Sequence, residues 1–370
     1  MPIVLNGTTG ITTPTYNGNT TAEYLVPVTS NKNRIINGAM TIDQRNAGAS
    51  VTPTHDSYTL DRYKWALSQA SKLTTQQSTT TAVGFANSML VTSSAATTVG
   101  SSDYFFFRQE IEGFNTADLN WGTANAKTVT LSFWVRSSLT GTFGGSLRNG
   151  DGSRSYPFSY TISSANTFEY KTVTIDGDTS GTWLTTNGIG ISCSFGLGVG
   201  STFSGTADSW QAGNLFSPTG ATSVVGTNGA TFYITGVQLE VGSTATSFDY
   251  RPFGTELALC QRYYWKNAPL TAATNYGLGN GFQTSTTASN ITVFYPVTMR
   301  ALPTATQSNL IISDNASYDS DVSSIGGIVS TLNSSYLGIS HASGGATYRP
   351  CNLRSKASGG IGFIDFSSEL

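Results

Sequence analysis

The sequence predicts an all-β protein of two or three domains, and three observations carry this. Of 370 residues, 38% are hydrophobic and 11% aromatic, while only 11% are charged. A core can therefore be buried, with the polarity resting on neutral hydroxyls and amides. Stretches rich in strand formers recur along the chain, divided by clusters of Gly, Ser and Asn; this is the pattern of short strands joined by turns. Only one segment spaces its apolar residues as a helix does. The expected order is an N-terminal extended arm (1–31), a jelly-roll β-sandwich (32–253), a short linking helix (254–267) and a C-terminal β-sandwich tip (268–370).

In the arm, Asn6-Gly7, Pro14 and Asn17-Gly18 interrupt short apolar pieces around Ile3, Val4, Leu5, Tyr16 and Tyr24. Such a segment cannot build its own core. It is expected to dock on another subunit or a larger assembly, a loose terminus being the plainer alternative. From Lys32 the chain reads as strands at 34–36 and 39–42, broken by Asn37-Gly38. Further strands are expected at 58–67, 104–111, 128–135, 168–175, 188–195 and 231–241. Trp134, inside TVTLSFWV, is assigned to the core.

Residues 255–266 (TELALCQRYYWK) predict the helix, with Thr255 as its cap and Glu256 in its first turn. Leu257, Cys260, Tyr263 and Tyr264 share one face. After it, strands are expected at 291–297, 310–312, 323–332, 336–339 and 359–366, the last with apolar residues at Ile361 and Phe363 and with Ile364 as a further candidate.

A net charge of -2 offers no basic field for a nucleic-acid backbone. No apolar run approaches the ~20 residues of a membrane helix, and the first ten residues do not read as a signal peptide. Neither nucleic acid nor membrane insertion is expected. The absence of a fixed-period repeat counts against a β-helix or fibrous shaft. Cys193, Cys260 and Cys351 are too far apart in sequence for a metal-ligand motif and read as buried thiols, consistent with assembly in a cytoplasm. His55 and His341 stand singly in polar stretches, and no Gly-x-Ser-x-Gly elbow accompanies them.

Several stretches carry a resemblance. Asn33-Arg34-Ile35-Ile36-Asn37-Gly38-Ala39-Met40, then Ile42-Asp43-Gln44-Arg45 and Tyr58-Thr59-Leu60-Asp61-Arg62-Tyr63, resemble the opening of tail fibre proteins of bacteriophages, including phages of cyanobacteria and marine bacteria. FYITGVQLEVG (232–242) followed by FDYRPF (248–253) is similar to the segment closing that domain, LALCQRYY (257–264) to the helix after it, and YPVTMRALPT (295–304) to the start of the C-terminal domain. The first domain also resembles carbohydrate-binding jelly rolls. Those modules often carry a structural calcium with an acidic ligand in the closing strand, where Thr235 and Gly236 stand here. Asp176 and Asp178 are a weak substitute that reads more simply as an exposed turn, so neither metal nor cofactor is expected.

The resemblance implies a homotrimeric fibre on the virion tail, assembled in the host cytoplasm. The arm would bind tail, baseplate or adaptor proteins, and the distal parts a host surface polysaccharide or lipopolysaccharide during adsorption. Three helices round an axis would bury Leu257, Cys260 and Tyr264; packing on their own domain is the alternative. Sugars are gripped by aromatic faces beside amides and carboxylates. The candidates are Trp210 with Asp208 and Gln211, Trp183 with Asp176 and Asp178, Trp121 with Asp118 and Asn120, and in the tip Tyr318, Tyr336, His341, Tyr348 and Arg349. A glycosidase needs two facing carboxylates. Glu110 with Glu112 and Asp319 with Asp321 are spaced for this but fit polar strand faces or turns better, so the chain is read as a binder, not an enzyme. A purely structural virion protein and a glycan-cleaving tailspike are the alternatives.

Overall fold

A short antiparallel hairpin, β1 (Val4–Asn6) on β2 (Gly10–Thr12), lies near the N-terminus. The structure is a computed structural model and describes residues 4–6, 10–12, 31–269, 271, 276–314, 319–342, 344–356, 358 and 360–370. Of the arm residues singled out above, Val4 and Leu5 fall on β1, while Ile3, Tyr16 and Tyr24 lie outside the described residues.

Residues 31–57 bury Ile35, Ile36, Met40 and Ile42 without forming a strand. The strands expected at 34–36 and 39–42 are absent because asparagine side chains take over the backbone's hydrogen bonds. Asn33 Oδ1 accepts from the amides of Ile35 (2.9 Å) and Leu239 (3.1 Å), and its Nδ2 donates to Val237 O (3.0 Å). Asn37 Oδ1 accepts from the Ile42 amide, and its Nδ2 donates to Ile42 O and Asp61 O. Asn37 and Met40 both adopt positive φ (59° and 57°), which no regular strand tolerates.

The sandwich strands follow: β3 (Tyr58–Leu60), β4 (Tyr63–Leu67), β5 (Leu73–Ser78), β6 (Ser88–Ser93), β7 (Tyr104–Glu112), β8 (Val129–Ser137), β9 (Gly141–Arg148), β10 (Arg154–Ile162), β11 (Glu169–Ile175), β12 (Ile189–Val199), the two-residue strands β13 (Ser204–Gly205), β14 (Gln211–Ala212) and β15 (Ser217–Pro218), and β16 (Thr231–Val241). They form a jelly-roll sandwich. One sheet runs β14-β10-β9-β12-β7-β4-β3 and the other β11-β8-β16-β6-β5, both antiparallel, with β13 and β15 as a small parallel pair beside them. Trp65, Phe105, Phe107, Phe133, Phe143, Phe158, Phe195 and Phe232 fill the space between the sheets. Phe107 of β7 stacks on Phe195 of β12 at 5.4 Å, and Phe195 meets Phe133 of the opposite sheet edge-on at 5.2 Å. Each such ring is worth about 1.5–3 kcal/mol of burial.

The helix α1 (Phe253–Gln261) is shorter than expected and begins after Pro252, with no side-chain cap from Thr255. The chain leaves it to form β17 (Tyr264–Asn267), because pairing with a C-terminal strand satisfies that backbone better than another helical turn. This corrects the three-fold-axis reading of the helix face. Cys260 is buried against Ile36, Ile42 and Tyr263 of the same chain. Tyr264 is also buried, its hydroxyl donating to Asp365 (2.8 Å) and its ring lying 3.5 Å from the Arg45 guanidinium. Only Leu257 of the three keeps a partly exposed side chain.

Beyond the helix come β18 (Gly277–Gln283), β19 (Ala288–Phe294), β20 (Thr304–Ser308), β21 (Leu310–Ser313), β22 (Asp319–Ser330), β23 (Ser334–His341), β24 (Pro350–Ser355) and β25 (Phe363–Ser367). The sandwich expected for the tip takes the form of a closed barrel, β18-β19-β23-β22-β21-β24, beside a three-stranded sheet β17-β25-β20. A barrel is a sheet packed on itself, and closure removes the free edges that short strands otherwise expose. Ile291, Val293, Ile312, Leu337, Ile339 and Leu353 fill it. On β25 Ile364 and Phe366 are the buried pair, while Ile361, ahead of the strand, is exposed and Phe363 is half-buried.

Ion pairs join barrel and sandwich. Glu369 is held by Arg45 (2.8 Å) and Arg62, and Arg300 donates to the carbonyls of Ser368 and Glu369. Glu112 accepts from Arg262 (2.7 Å) and from the Tyr263 hydroxyl (2.8 Å).

Candidate functional site

Strand alternation on β8 turns Leu131, Phe133 and Val135 into the core and leaves Ser132, Trp134 and Arg136 on the outer face of the five-stranded sheet. Trp134 is therefore half-buried and outward, not a core residue. Register sets Tyr170 of β11 directly beside it, and the two rings lie 5.3 Å apart. This aromatic pair forms the floor of a groove of about 420 Å³.

One wall is a triad of rings: Phe85, Phe248 and Tyr250, with centroids 4.8–5.5 Å apart. The Tyr250 hydroxyl donates to Gly84 O (2.8 Å), tying the two wall segments together. The wall fits because β16 bulges at Gly236, which has φ +62°. A Cβ there would approach the Phe85 ring to 2.5 Å, so both the conformation and the close approach demand glycine.

The far end is closed by a strap, residues 242–250, that crosses the sheet. Thr130 and Thr174 donate to Gly242 O (2.8 Å) and Ser243 O (3.1 Å). Glu240 accepts from the amide (2.8 Å) and hydroxyl (2.6 Å) of Thr246, and Gln238 accepts from the Asp249 amide (2.8 Å) and donates to Glu240 (2.8 Å). Gln238 and Glu240 are fully buried under the strap, and Lys32 donates to Ser247 O (2.8 Å) from outside. At the other end Arg136 lies 4.8 Å over the Tyr233 ring and donates to Asn166 O (2.8 Å).

The lining holds aromatic faces, Ser132, Ser247 and Thr246, the last with its hydroxyl given to Glu240, and no carboxylate. Desolvation raises the Tyr250 phenol above its ordinary value, so it stays a neutral donor. Flat rings beside neutral hydrogen-bonding groups suit a ligand with apolar C–H faces and a hydroxyl rim.

The residues expected to bind from sequence fall elsewhere. Trp121, Trp183 and Trp210 come together as one cluster, with ring centroids 4.6–5.4 Å apart. Each indole N–H donates to a backbone carbonyl (Lys127, Ser180 and Asp176 respectively), so the cluster stitches three loops to one another. Gln211 donates to Thr206 O (2.6 Å) within its own loop, and Asp208 is exposed, 3.4 Å from the Ser159 hydroxyl. Asp178 is taken by Arg154 (2.7 and 2.8 Å) and Asp176 accepts from Thr128. Among the described residues no three His, Cys, Asp or Glu side chains gather as a metal site requires.

In the barrel, His341 is corrected from a surface ligand residue to a buried one. Its Nε2 lies 2.9 Å from the Ser289 hydroxyl and its Nδ1 2.9 Å from Ala342 O, because its position on β23 faces inward. Tyr336 and Tyr348 are exposed, and Arg349 pairs with Asp314 (2.8 Å). Tyr318 lies outside the described residues. Of the carboxylates weighed for hydrolysis, Glu110 pairs with Arg108 (2.8 Å), Glu112 with Arg262, and Asp321 with Lys356 (2.7 Å). Residue type assigns Trp134 to the core, whereas the alternation of Leu131, Phe133 and Val135 around it puts it on the other face, and that alternation is the signal in the sequence for the groove.

No protein-family model and no curated protein matches the chain. Similar solved structures include the enzymatically active domain of tailspike protein 4 of bacteriophage CBA120, at 12% identity and TM-score 0.32, covering 57% of this chain and 22% of that one. A protein from Bacteroides thetaiotaomicron assigned to sugar binding matches at 12% identity and TM-score 0.35, over 57% of this chain and 100% of that one. The family 11 carbohydrate-binding module from Clostridium thermocellum, solved with a mixed-linked tetrasaccharide, matches at 14% identity and TM-score 0.26, over 55% and 100%. The chain spans about a fifth of the tailspike domain's length, and the reading of the groove rests on its own residues.

Proposed function

We propose that this chain is a non-catalytic glycan-binding protein that holds a host cell-surface glycan in the groove on the outer face of the five-stranded sheet. The observation that carries this is the Trp134–Tyr170 floor, walled by Phe85, Phe248 and Tyr250 and rimmed by neutral hydroxyls. Binding without cleavage is supported by the lining, since hydrolysis needs two carboxylates across the scissile bond and the groove lining has none.

The finer reading is a trimeric phage tail fibre, carried on the virion tail by the N-terminal arm and engaging polysaccharide or lipopolysaccharide during adsorption. Its support is the sequence resemblance at 33–40, 42–45, 58–63, 232–242, 248–253, 257–264 and 295–304. A single shallow groove binds weakly, and three on one particle raise the apparent affinity without new contacts. Two measurements test this. A glycan array of bacterial surface polysaccharides is expected to give hits that Trp134→Ala abolishes. Light scattering is expected to give about three times the 39.0 kDa chain mass; a monomer would remove the fibre reading and leave the groove intact.

A further inference from the structure

The outer face of the other, seven-stranded sheet carries a different constellation. On β7, Phe105 and Phe107 point inward and Arg108 and Glu110 outward; on β9, Leu147 points inward and Arg148 outward; on β4, Tyr63 and Trp65 point inward and Lys64 outward. Strand β12 runs between β7 and β9 and offers only serines at these rows. Ser194 is level with Arg108, and Ser192 with both Glu110 and Arg148. Two arginines thus flank a floor of small hydroxyl side chains.

Their charges are incompletely matched. Arg148 is only 6% exposed. It donates to Asn214 and to the Ser192 hydroxyl (3.4 Å), its Nε is buried without a partner, and no carboxylate pairs with it among the described residues. The Phe216 ring covers one side of its guanidinium at 4.5 Å. Arg108 pairs with Glu110 (2.8 Å), yet its Nε is also buried and unpartnered. Glu110, whose Oε2 is buried without a hydrogen-bond partner, is shared further with Lys64 (3.6 Å), and Asp56, exposed at the rim, lies 3.5 Å from Lys64 and 4.0 Å from Arg108. Burial, with the like charge of Arg108, lowers Arg148 to about 9, and Glu110 offsets this only in part. A buried guanidinium without a counter-charge is costly.

We propose that Arg108 and Arg148, over the serine floor of β12, form a binding site for an oxyanion (a sulfate, phosphate or carboxylate group), either free or carried on a polysaccharide. Guanidinium forks match the geometry of such anions, and the Ser192 hydroxyl, which accepts from Arg148, retains its own proton to donate. The site lies on the sheet opposite the aromatic groove and stands or falls independently of it.

The test is thermal unfolding of the full chain titrated with sodium sulfate against sodium chloride at equal ionic strength. Sulfate stabilises proteins generally, so the readout is the difference between variants. The wild type is expected to show a saturable rise in Tm that Arg148→Gln and Arg108→Gln lose, while Arg136→Gln, on the opposite face, keeps it. Ser192→Asp supplies the missing carboxylate. It is expected to raise Tm on its own and abolish the sulfate response, which also decides the matter should Arg148→Gln fail to fold. A response equal in wild type and Arg148→Gln, or unchanged in Ser192→Asp, overturns the proposal. A sulfated oligosaccharide that binds at least tenfold more tightly than inorganic sulfate, and than its desulfated counterpart, assigns the anion to a glycan; equal affinity for the two sulfates assigns it to the free ion.

Discussion

A tryptophan's face of the sheet matters more than its residue type. Trp134 presents its ring outward on β8, whereas the indole N–H groups of Trp121, Trp183 and Trp210 are committed to loop carbonyls. Trp134→Ala is therefore expected to lower glycan affinity at least tenfold, about 1.4 kcal/mol, with a small change in Tm. Trp210→Ala is expected to do the reverse, lowering Tm and sparing binding; calorimetry beside a binding titration checks both. Gly236→Ala is expected to cost about 1–3 kcal/mol, since it combines a strained φ with a clash on Phe85. Asp61 supplies a pH dependence. Burial raises its carboxyl to about 6, only partly opposed by Arg45 and by the Gln44 amide and side chain, with Glu369 adding to the rise. The folded state therefore holds this proton more tightly than the unfolded chain. The resulting stabilisation is full below about pH 4 and is lost as pH rises through about 6. Denaturation midpoints of wild type and Asp61→Asn between pH 4 and 7 are expected to differ in slope, the variant lacking that decline.

At the scale of elements, several long strands are legible because they alternate or concentrate strand formers; residues 231–241 coincide with β16, and 104–111 and 168–175 match β7 and β11 to within a residue, whereas β9 and β10, eight and nine residues long, are not among the expected strands. Three further features are not legible. The coil at 31–57 is set by Asn33 and Asn37 bonding to residues up to about 200 positions away, which no local window reports. The helix end at Gln261 is decided by pairing of β17 with β25, a hundred residues downstream. The groove depends on Gly236, Gln238 and Glu240 drawing the strap over the sheet, so its residues are scattered over five segments. Glu240→Gln forfeits an acceptor for Thr246 and the charge facing Lys32. It is expected to loosen the strap, seen as faster amide exchange over 244–250, and to weaken glycan binding while the remainder of the sheet keeps its protection.

For the whole molecule, the stretches that carry the resemblance to tail fibres are largely the joints of the fold. Asn33 and Arg251 cross-link the opening and closing segments of the sandwich, Asn37 ties the opening coil to Asp61, Gln238 holds the strap through the Asp249 amide, and Arg45 and Arg62 clamp Glu369 at the barrel. Removing one partner of such a buried pair costs about 3–5 kcal/mol. Glu369→Gln is accordingly expected to lower Tm and to open the segment between sandwich and barrel to limited proteolysis; an unchanged digestion pattern would remove that joint. Closure removes the free edges of the six barrel strands, leaving β17 and β20 as the edges of the small sheet beside it, and the aromatic groove and the arginine pair occupy opposite faces of the sandwich. The central claim is that the groove, rather than the tryptophan cluster or the barrel surface, holds the glycan. Its most direct test is one glycan-array experiment run in parallel on wild type, Trp134→Ala and Trp210→Ala. The expected result is a set of bacterial polysaccharides bound by wild type and Trp210→Ala and lost in Trp134→Ala. Binding that survives Trp134→Ala, or a wild type that binds no glycan, contradicts it.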